Sequence, residues 1–171
     1  MSKYIIDLQG FSHNQSYIVK ELTVIDLYSQ NVSHFLVKPP FDKSILSDGE
    51  QKSVSWLENY HHKIAWEDGM FDYDEVFADL RKIIRDADII YVKGCEKTLF
   101  IRKITGKFTV DLDKLDCPRA CMLPIPQLWR TVGCNYHNHS NYDGVCSLFQ
   151  AMKFREWLLD LFQGGHDEVD L

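Results

Sequence analysis

The sequence predicts an α/β fold with a mixed central sheet and helices on both faces. Two observations lead to this prediction. Three strand-like segments come first, and helical segments that alternate with short apolar strands follow them, giving the order β-β-β-α-α-β-α-β-α. A hairpin-led start followed by αβ units is typical of a sheet covered by helices. The chain has 171 residues, enough for one domain with a sizeable core.

The predicted strands are runs of apolar and β-branched residues. They cover residues 4–9, 17–27, 34–38, 89–92 and 108–112. A turn rich in Gly, Ser, Asn and Gln joins the first two strands, so we expect them to form a hairpin. The fully apolar run at 89–92 is typical of the middle of a covered sheet.

The predicted helices cover residues 48–60, 72–85, 95–104 and 145–162. Ser47 and Glu50 have the spacing of a capping box, which predicts the start of the first helix. Residues 113–133 contain three prolines and are predicted to be irregular. We expect one domain over residues 1–163 and an acidic, flexible tail over residues 164–171.

Composition excludes several classes of protein. No apolar run approaches the ~18–20 residues that span a bilayer, and Met1 leads into a strand-like segment without signal-peptide architecture. We therefore expect a soluble intracellular protein, cytoplasmic or nuclear, with no membrane partner. The five cysteines are expected to be ligands or core residues rather than disulfides. A net charge of -6 argues against a general phosphate-binding surface but leaves room for a local basic patch.

The segment Cys134-Asn135-Tyr136-His137, followed by Cys146, is the motif that indicates function most strongly. A Cys-x2-His pair with a third soft ligand at the start of the last helix is typical of zinc sites. The alternative is two core cysteines and a surface histidine, and His139 is a nearby spare imidazole. Cys117 and Cys121 are spaced as Cys-x3-Cys, but no further pair completes a second site, so we interpret them as ordinary thiols.

The order of elements resembles the ribonuclease-H-like fold of the DnaQ-type (DEDDh) 3′–5′ exonucleases. Asp7, at the end of the first strand, matches the first metal-binding carboxylate of that family. Three positions depart from the family pattern. Gln9 stands where the family has Glu, and Cys146 and Ala151 stand where its last helix carries His and Asp. A two-metal nuclease holds its ions with carboxylates, so these departures argue against standard exonuclease activity.

The departures resemble those of the Maelstrom-type domain, a zinc-binding relative of these exonucleases with a Glu-Cys-His-Cys ligand set. The resemblance implies a structural Zn²⁺ ion held by Glu96, Cys134, His137 and Cys146. Cys95, next to Glu96, is the chemical alternative for the fourth ligand. The resemblance also implies binding of single-stranded RNA, leaves non-canonical RNA cleavage open, and assigns no catalytic residue.

Basic residues around Glu96 indicate a surface for the backbone of single-stranded RNA or DNA. They are Lys93, Lys97, Arg102, Lys103 and Lys107, and Arg119 and Arg130 can extend the set. The alternative is a solvated helix face. We interpret His61, His62 and Trp66 as loop packing rather than a base-stacking surface, and we expect the helix around Trp56 to contribute to the core.

Two other functions stay open. Asp7, Glu21 and Asp111 lie at predicted strand ends, where they form either a reduced acidic cluster or a set of surface and capping carboxylates. The first interpretation predicts a metal-dependent nuclease that uses Asp7 and Glu21. The acidic net charge and tail also fit a protein-interaction scaffold.

Overall fold

A mixed sheet of five strands forms the centre of the computed structural model, which describes residues 1–14, 16–139 and 144–164. The strands are β1 (Ser2–His13), β2 (Ser16–Asp26), β3 (Val32–Leu36), β4 (Ala87–Val92) and β5 (Thr109–Asp111). Their order is β3-β2-β1-β4-β5. β2 is antiparallel to β1 and β3, whereas β1 with β4 and β4 with β5 form parallel pairs. The α/β class, the predicted hairpin and all five predicted strands are confirmed.

Helices cover both faces of this sheet. They are α1 (Asp48–Tyr60), α2 (Tyr73–Ile83), α3 (Cys95–Thr105), α4 (Gln127–Val132) and α5 (Ser147–Gly164). The four predicted helices are confirmed, and Ser47 and Glu50 form the expected capping box. α4 lies in the segment predicted to be irregular, because a helix of six residues with one buried side chain is too short to show a periodic pattern.

Two further predictions concern membrane-spanning segments and the acidic tail. None of the described helices is long and apolar enough to cross a bilayer. Apart from Gly164, which ends α5, the predicted acidic tail lies outside the described residues.

Alternation of side chains along β1 divides the core into two layers. Ile6 packs with Leu80 of α2 and Ile101 of α3. Ile5 points to the opposite face and packs in a second cluster with residues of α5. Asp7 follows Ile5 with the period of two that places both on one face, so its carboxylate lies on the α5 side of the sheet.

A smaller cluster lies under α1. Val54 packs there with Phe11 and Trp66, and His62 is also buried, so the interpretation as packing is confirmed for His62 and Trp66. For His61 that interpretation is wrong, because its side chain is exposed. The expectation that Trp56 is a core residue is wrong, because its side chain is 57% exposed. Two residues correspond to roughly 200° around a helix, so Trp56 lies opposite Val54.

Candidate metal centre

Glu21 places a fully buried carboxylate in the middle of β2, opposite Gln9 of β1. Nε2 of His137 lies 2.6 Å from its Oε2, and Nε2 of His34 lies 3.0 Å from the same oxygen. The backbone N–H of Ser147, at the start of α5, donates to Oε1 at 2.5 Å. A buried carboxylate without such donors is strongly destabilising, so these contacts are what allow Glu21 to lie inside the protein.

The segment between α4 and α5 brings the predicted motif over this carboxylate. Gly133 follows α4 with a φ of 65°, a conformation that glycine adopts most readily, and turns the chain toward Cys134. The backbone N–H of His137 donates to Sγ of Cys134 at 3.4 Å, which closes the Cys-x2-His turn. The Tyr136 hydroxyl donates to the backbone carbonyl of His34 at 3.0 Å and anchors the turn to β3.

Two overlapping groups of side chains have the spacing of a metal site. The ligand atoms of Glu21, His137 and Cys146 lie within 4.8 Å of one another, and so do those of His34, Cys134 and Cys146. In a tetrahedral site with bonds of ~2.0–2.3 Å, neighbouring ligand atoms are roughly 3.3–3.8 Å apart. Cys146 belongs to both groups and so links the five side chains into one continuous cluster.

The surroundings of Glu21 keep it anionic. Burial raises the pKa of Glu21, but hydrogen bonds from His137 and His34 outweigh burial and lower this pKa to about 2. The same contact acts in the opposite sense on His137. Burial lowers the pKa of His137, and the hydrogen bond to Glu21 raises it above its usual value. A buried anionic oxygen therefore faces an imidazole whose proton a metal ion can replace.

The two cysteine side chains of the cluster hydrogen-bond to each other. The hydrogen bond with Cys146 lowers the pKa of Cys134. That hydrogen bond, together with burial, raises the pKa of Cys146. His139, the spare imidazole of the motif, also hydrogen-bonds to Cys134. Cys134 is thus the more acidic thiol of the pair, and the thiolate is the form of cysteine that binds metals.

Three of the four predicted ligands, those of the Cys-x2-His motif and of the start of α5, lie in the cluster. The fourth, Glu96, belongs to neither group. Its side chain is exposed in the first turn of α3, and its Oε1 accepts a hydrogen bond from the Ser12 hydroxyl at 2.8 Å. The alternative ligand Cys95 is exposed and also outside both groups. Glu21 is the carboxylate that lies beside His137 and Cys146, because the motif folds over β2 rather than over α3.

Glu21 and His34 are the members of the cluster that the sequence did not connect with the motif. Glu21 alternates with Thr23 and Ile25 along β2, and this period of two is a signal that the three side chains share one face. His34 is opposite Thr23 in the β2–β3 pair, which brings it beside Glu21. No local signal in the sequence indicates that register.

The remaining thiols and Asp111 have structural environments. Cys117 is buried in the layer against α5, and Cys121 is exposed. Neither belongs to a possible metal-binding group within the described ranges of the chain. Oδ1 of Asp111 accepts hydrogen bonds from the backbone N–H groups of Gly94 and Asp113 at 3.0 and 2.9 Å, so Asp111 is a capping carboxylate.

Asp7 forms a second buried carboxylate site on the neighbouring strand. Nζ of Lys97 lies 3.1 Å from its Oδ1, and the Gln9 side-chain amide donates to its Oδ2 at 3.3 Å. Burial raises the pKa of Asp7, and the Lys97 ammonium opposes that shift. Both Asp7 and Glu21 are 0% exposed, so their interpretation as surface or capping carboxylates is wrong. The cation beside Asp7 is the protein's own lysine.

Four of the five predicted nucleic-acid-binding residues are held by acceptors within the chain. The acceptors are the Asp113 carboxylate and Cys117 carbonyl for Lys93, Asp7 for Lys97, the Thr109 carbonyl for Arg102, and the Arg85 carbonyl for Lys107. Arg102 and Lys103 are nevertheless exposed on α3. Arg119 and Arg130, the two candidate extensions of the patch, are also exposed but lie outside α3. The basic surface is therefore narrower than the sequence suggests.

Comparison of the chain with protein-family models and with curated proteins finds no match. The functional inference therefore rests on the geometry of the cluster.

Proposed function

We propose that this chain is a domain of degenerate exonuclease fold that binds single-stranded nucleic acid, is stabilised by a structural Zn²⁺ ion and lacks two-metal cleavage. The observation that carries the proposal is the environment of the two buried carboxylates. Asp7 pairs with Lys97, and Glu21 bonds to His137 and His34. A two-metal nuclease needs carboxylate oxygens that bind ions about 3.5–4 Å apart. Lys97 neutralises Asp7, and in this proposal Glu21 is a ligand of the structural ion, so the two carboxylates do not form a two-metal pair.

The topology supports the ribonuclease-H-like part of the proposal. An antiparallel half, β3-β2-β1, continues into a parallel half, β1-β4-β5, and helices cover both faces. This layout agrees with the expected resemblance to DnaQ-type exonucleases. The cluster also agrees with the Glu-Cys-His-Cys set of the Maelstrom-type domain, with Glu21 rather than Glu96 as its carboxylate.

Zn²⁺ is the ion that this donor set fits best. Thiolates and imidazole are soft or borderline ligands, which Zn²⁺ binds with tetrahedral geometry. The proposed ligands are Glu21, Cys134, His137 and Cys146. The ion replaces the proton between His137 and Glu21, and His34 keeps its hydrogen bond to the carboxylate and orients it. With four protein ligands the ion is structural, and its binding free energy contributes to folding.

Exposed basic residues on α3 favour nucleic acid as the partner. Arg102 and Lys103 lie in the last turn of this helix and face solvent. Lys93 and Lys107 point to acceptors inside the chain, so they add positive potential rather than direct phosphate contacts. We expect the backbone of a single strand to contact the Arg102 and Lys103 side.

Binding and cleavage assays on single-stranded RNA and DNA test this function. We expect salt-dependent binding, and no cleavage in Mg²⁺ or Mn²⁺. Metal-dependent cleavage that Asp7→Asn abolishes would instead establish the nuclease alternative. Failure to bind any oligonucleotide at low salt would leave the protein-interaction scaffold as the better account.

Lys103→Gln tests the surface, with Lys82→Gln as its matched control. Lys82 lies on α2, and its side chain is 79% exposed. Loss of one phosphate contact is expected to lower the slope of log K against log salt by about 0.7 for a single strand. The control is expected to leave that slope unchanged. Equal slopes for the two variants would remove α3 from the interface.

A further inference from the structure

α1 carries an aromatic surface that the fold leaves exposed. Trp56 is 57% and Tyr60 is 72% exposed. Exposed Lys52, Trp56 and Tyr60 follow one another at four-residue spacing and lie on one side of the helix. The Trp56 and Tyr60 ring centroids are 6.1 Å apart. The exposed ring of His61 stacks on Trp56 with an interplanar angle of 19° and a centroid distance of 6.4 Å. We name these four residues the α1 aromatic face.

The α1 aromatic face is separate from the packing surface of the helix. α1 contacts the rest of the domain through Val54, with Leu57 packed beside it, in the cluster that contains Trp66. Trp56 and Tyr60 lie outside that cluster and expose large apolar rings to water. Contiguous exposed aromatic groups are typical of interaction sites, and stability of the fold alone does not account for them.

His61 lies near the start of α5 and near Lys97. Its backbone carbonyl accepts a hydrogen bond at 3.0 Å from the N–H of Val145, the residue before Cys146. Burial and then the nearby Lys97 ammonium lower the pKa of His61. The face therefore lies beside the segment that leads into α5 and within electrostatic range of Lys97.

α1 carries one cation beside the rings, Lys52, and three carboxylates, Asp48, Glu50 and Glu58. Glu50 pairs with His13, and Glu58 pairs with Lys43, so both glutamates have cationic or imidazole partners within the domain. Lys52 forms no ion pair within the part of the chain that the structure describes. Asp48 lies one turn earlier, at the N-terminus of the helix, where the helix dipole favours a negative charge.

We propose that the α1 aromatic face stacks the bases of a single strand of RNA or DNA, while Lys52 contacts its phosphates. The proposal rests on the function proposed above and names the surface that performs it. Stacking on aromatic rings is tolerant of sequence because every base has a π face, and an adjacent cation holds the backbone. The strand then continues past Lys97 toward the exposed basic residues of α3.

Titration with a single-stranded 15-mer, followed by fluorescence anisotropy and by quenching of tryptophan emission, tests the surface. Trp56→Ala combined with Tyr60→Ala is expected to weaken binding at least about tenfold with an unchanged salt slope, because stacking is not ionic. Lys52→Gln is expected to lower the slope by about 0.7. Trp56→Phe is expected to keep most of the affinity and lose most of the quenching, which locates a base on this ring.

Tyr28→Ala is the matched control, because Tyr28 is an aromatic residue with 56% exposure outside the face. It is expected to bind like the wild type. Wild-type binding that the Trp56/Tyr60 double variant retains would overturn the aromatic face while leaving the proposed function intact. A wild type that binds no oligonucleotide would overturn both, and the two failures are therefore distinguishable.

Discussion

Two equally buried carboxylates on neighbouring strands differ in how the chain neutralises them. Asp7 of β1 and Glu21 of β2 are both 0% exposed and lie on the same side of the sheet. Asp7 has one ammonium and one amide as partners, and burial raises its pKa. Glu21 has two imidazoles and a backbone N–H, and its pKa falls to about 2. Because burial is equal, the number and charge of the donors decide which carboxylate is the stronger anion.

This difference is the reason that we propose a metal ion at Glu21 and not at Asp7. Lys97 is an internal cation that is covalently tied to the fold, so Asp7 needs no metal ion. His137 and the thiols around Glu21 are groups that exchange a proton for a metal ion. The two sites should therefore respond differently to metal removal and to substitution.

Metal removal is expected to have the largest effect. When free zinc exceeds its Kd a thousandfold, the ion stabilises the folded state by about 4 kcal/mol. For a domain of this size, stripping it should lower Tm by roughly 8–16 °C in a calorimetric scan. Glu21→Gln should melt near the stripped wild type and respond little to a chelator. An unchanged melting curve after verified metal removal would contradict a structural role.

Lys97→Met comes next and affects only the Asp7 site. It leaves a buried carboxylate without its cation and is expected to cost roughly 3–4 kcal/mol of unfolding free energy. Metal content should not change, since Lys97 is not a proposed ligand. The double variant Asp7→Asn, Lys97→Met should recover much of the loss in denaturant titrations. A single variant as stable as the wild type would show that the pair is unimportant.

Acid is expected to destabilise the protein through the buried imidazole of His62. His62 donates to the Gly10 carbonyl and accepts from the Ile64 N–H, and burial lowers the pKa of His62 to about 4. Since the unfolded chain binds this proton near pH 6.5, stability is present above that pH and falls between about pH 6.5 and 4. The loss is at most roughly 3 kcal/mol.

The pH dependence is checked by denaturant titrations of the wild type and of His62→Gln across this range. The variant cannot titrate at residue 62, so its stability should fall less steeply on acidification. Parallel curves for the two proteins would exclude His62 as a source of acid sensitivity.

Glu96→Gln is expected to have the smallest effect. Glu96 is exposed and bonds only to the Ser12 hydroxyl among the described partners, so its loss should change stability by less than about 0.5 kcal/mol. Glu21→Gln is the comparison, because that residue is buried among its donors. A Glu96→Gln protein as unstable as Glu21→Gln would restore the ligand assignment drawn from the resemblance.

Most of the fold could be predicted because its signals are local. β-branched runs, the capping box at Ser47 and the apolar spacing of α2 each lie within a short window. The prediction failed for α4, which is too short to be periodic, and for Trp56, whose helix has one buried residue and therefore little directional pattern.

The candidate site could be predicted only in part because half of it depends on register. The Cys-x2-His motif is local and visible. Its carboxylate partner is 116 residues distant from His137, and the two meet only after β2 and α5 dock. The resemblance to the Maelstrom-type domain favoured Glu96, whereas the strand register of β2 with β1 and β3 brings Glu21 and His34 together.

The metal content of purified protein tests the central claim most directly. Elemental analysis should find one zinc per chain in the wild type and in Glu96→Gln, and well under half of that in Glu21→Gln and Cys146→Ser. A wild type that contains no zinc when purified without chelators, or zinc lost from Glu96→Gln but retained in Glu21→Gln, would contradict the assignment of the metal centre to Glu21, Cys134, His137 and Cys146.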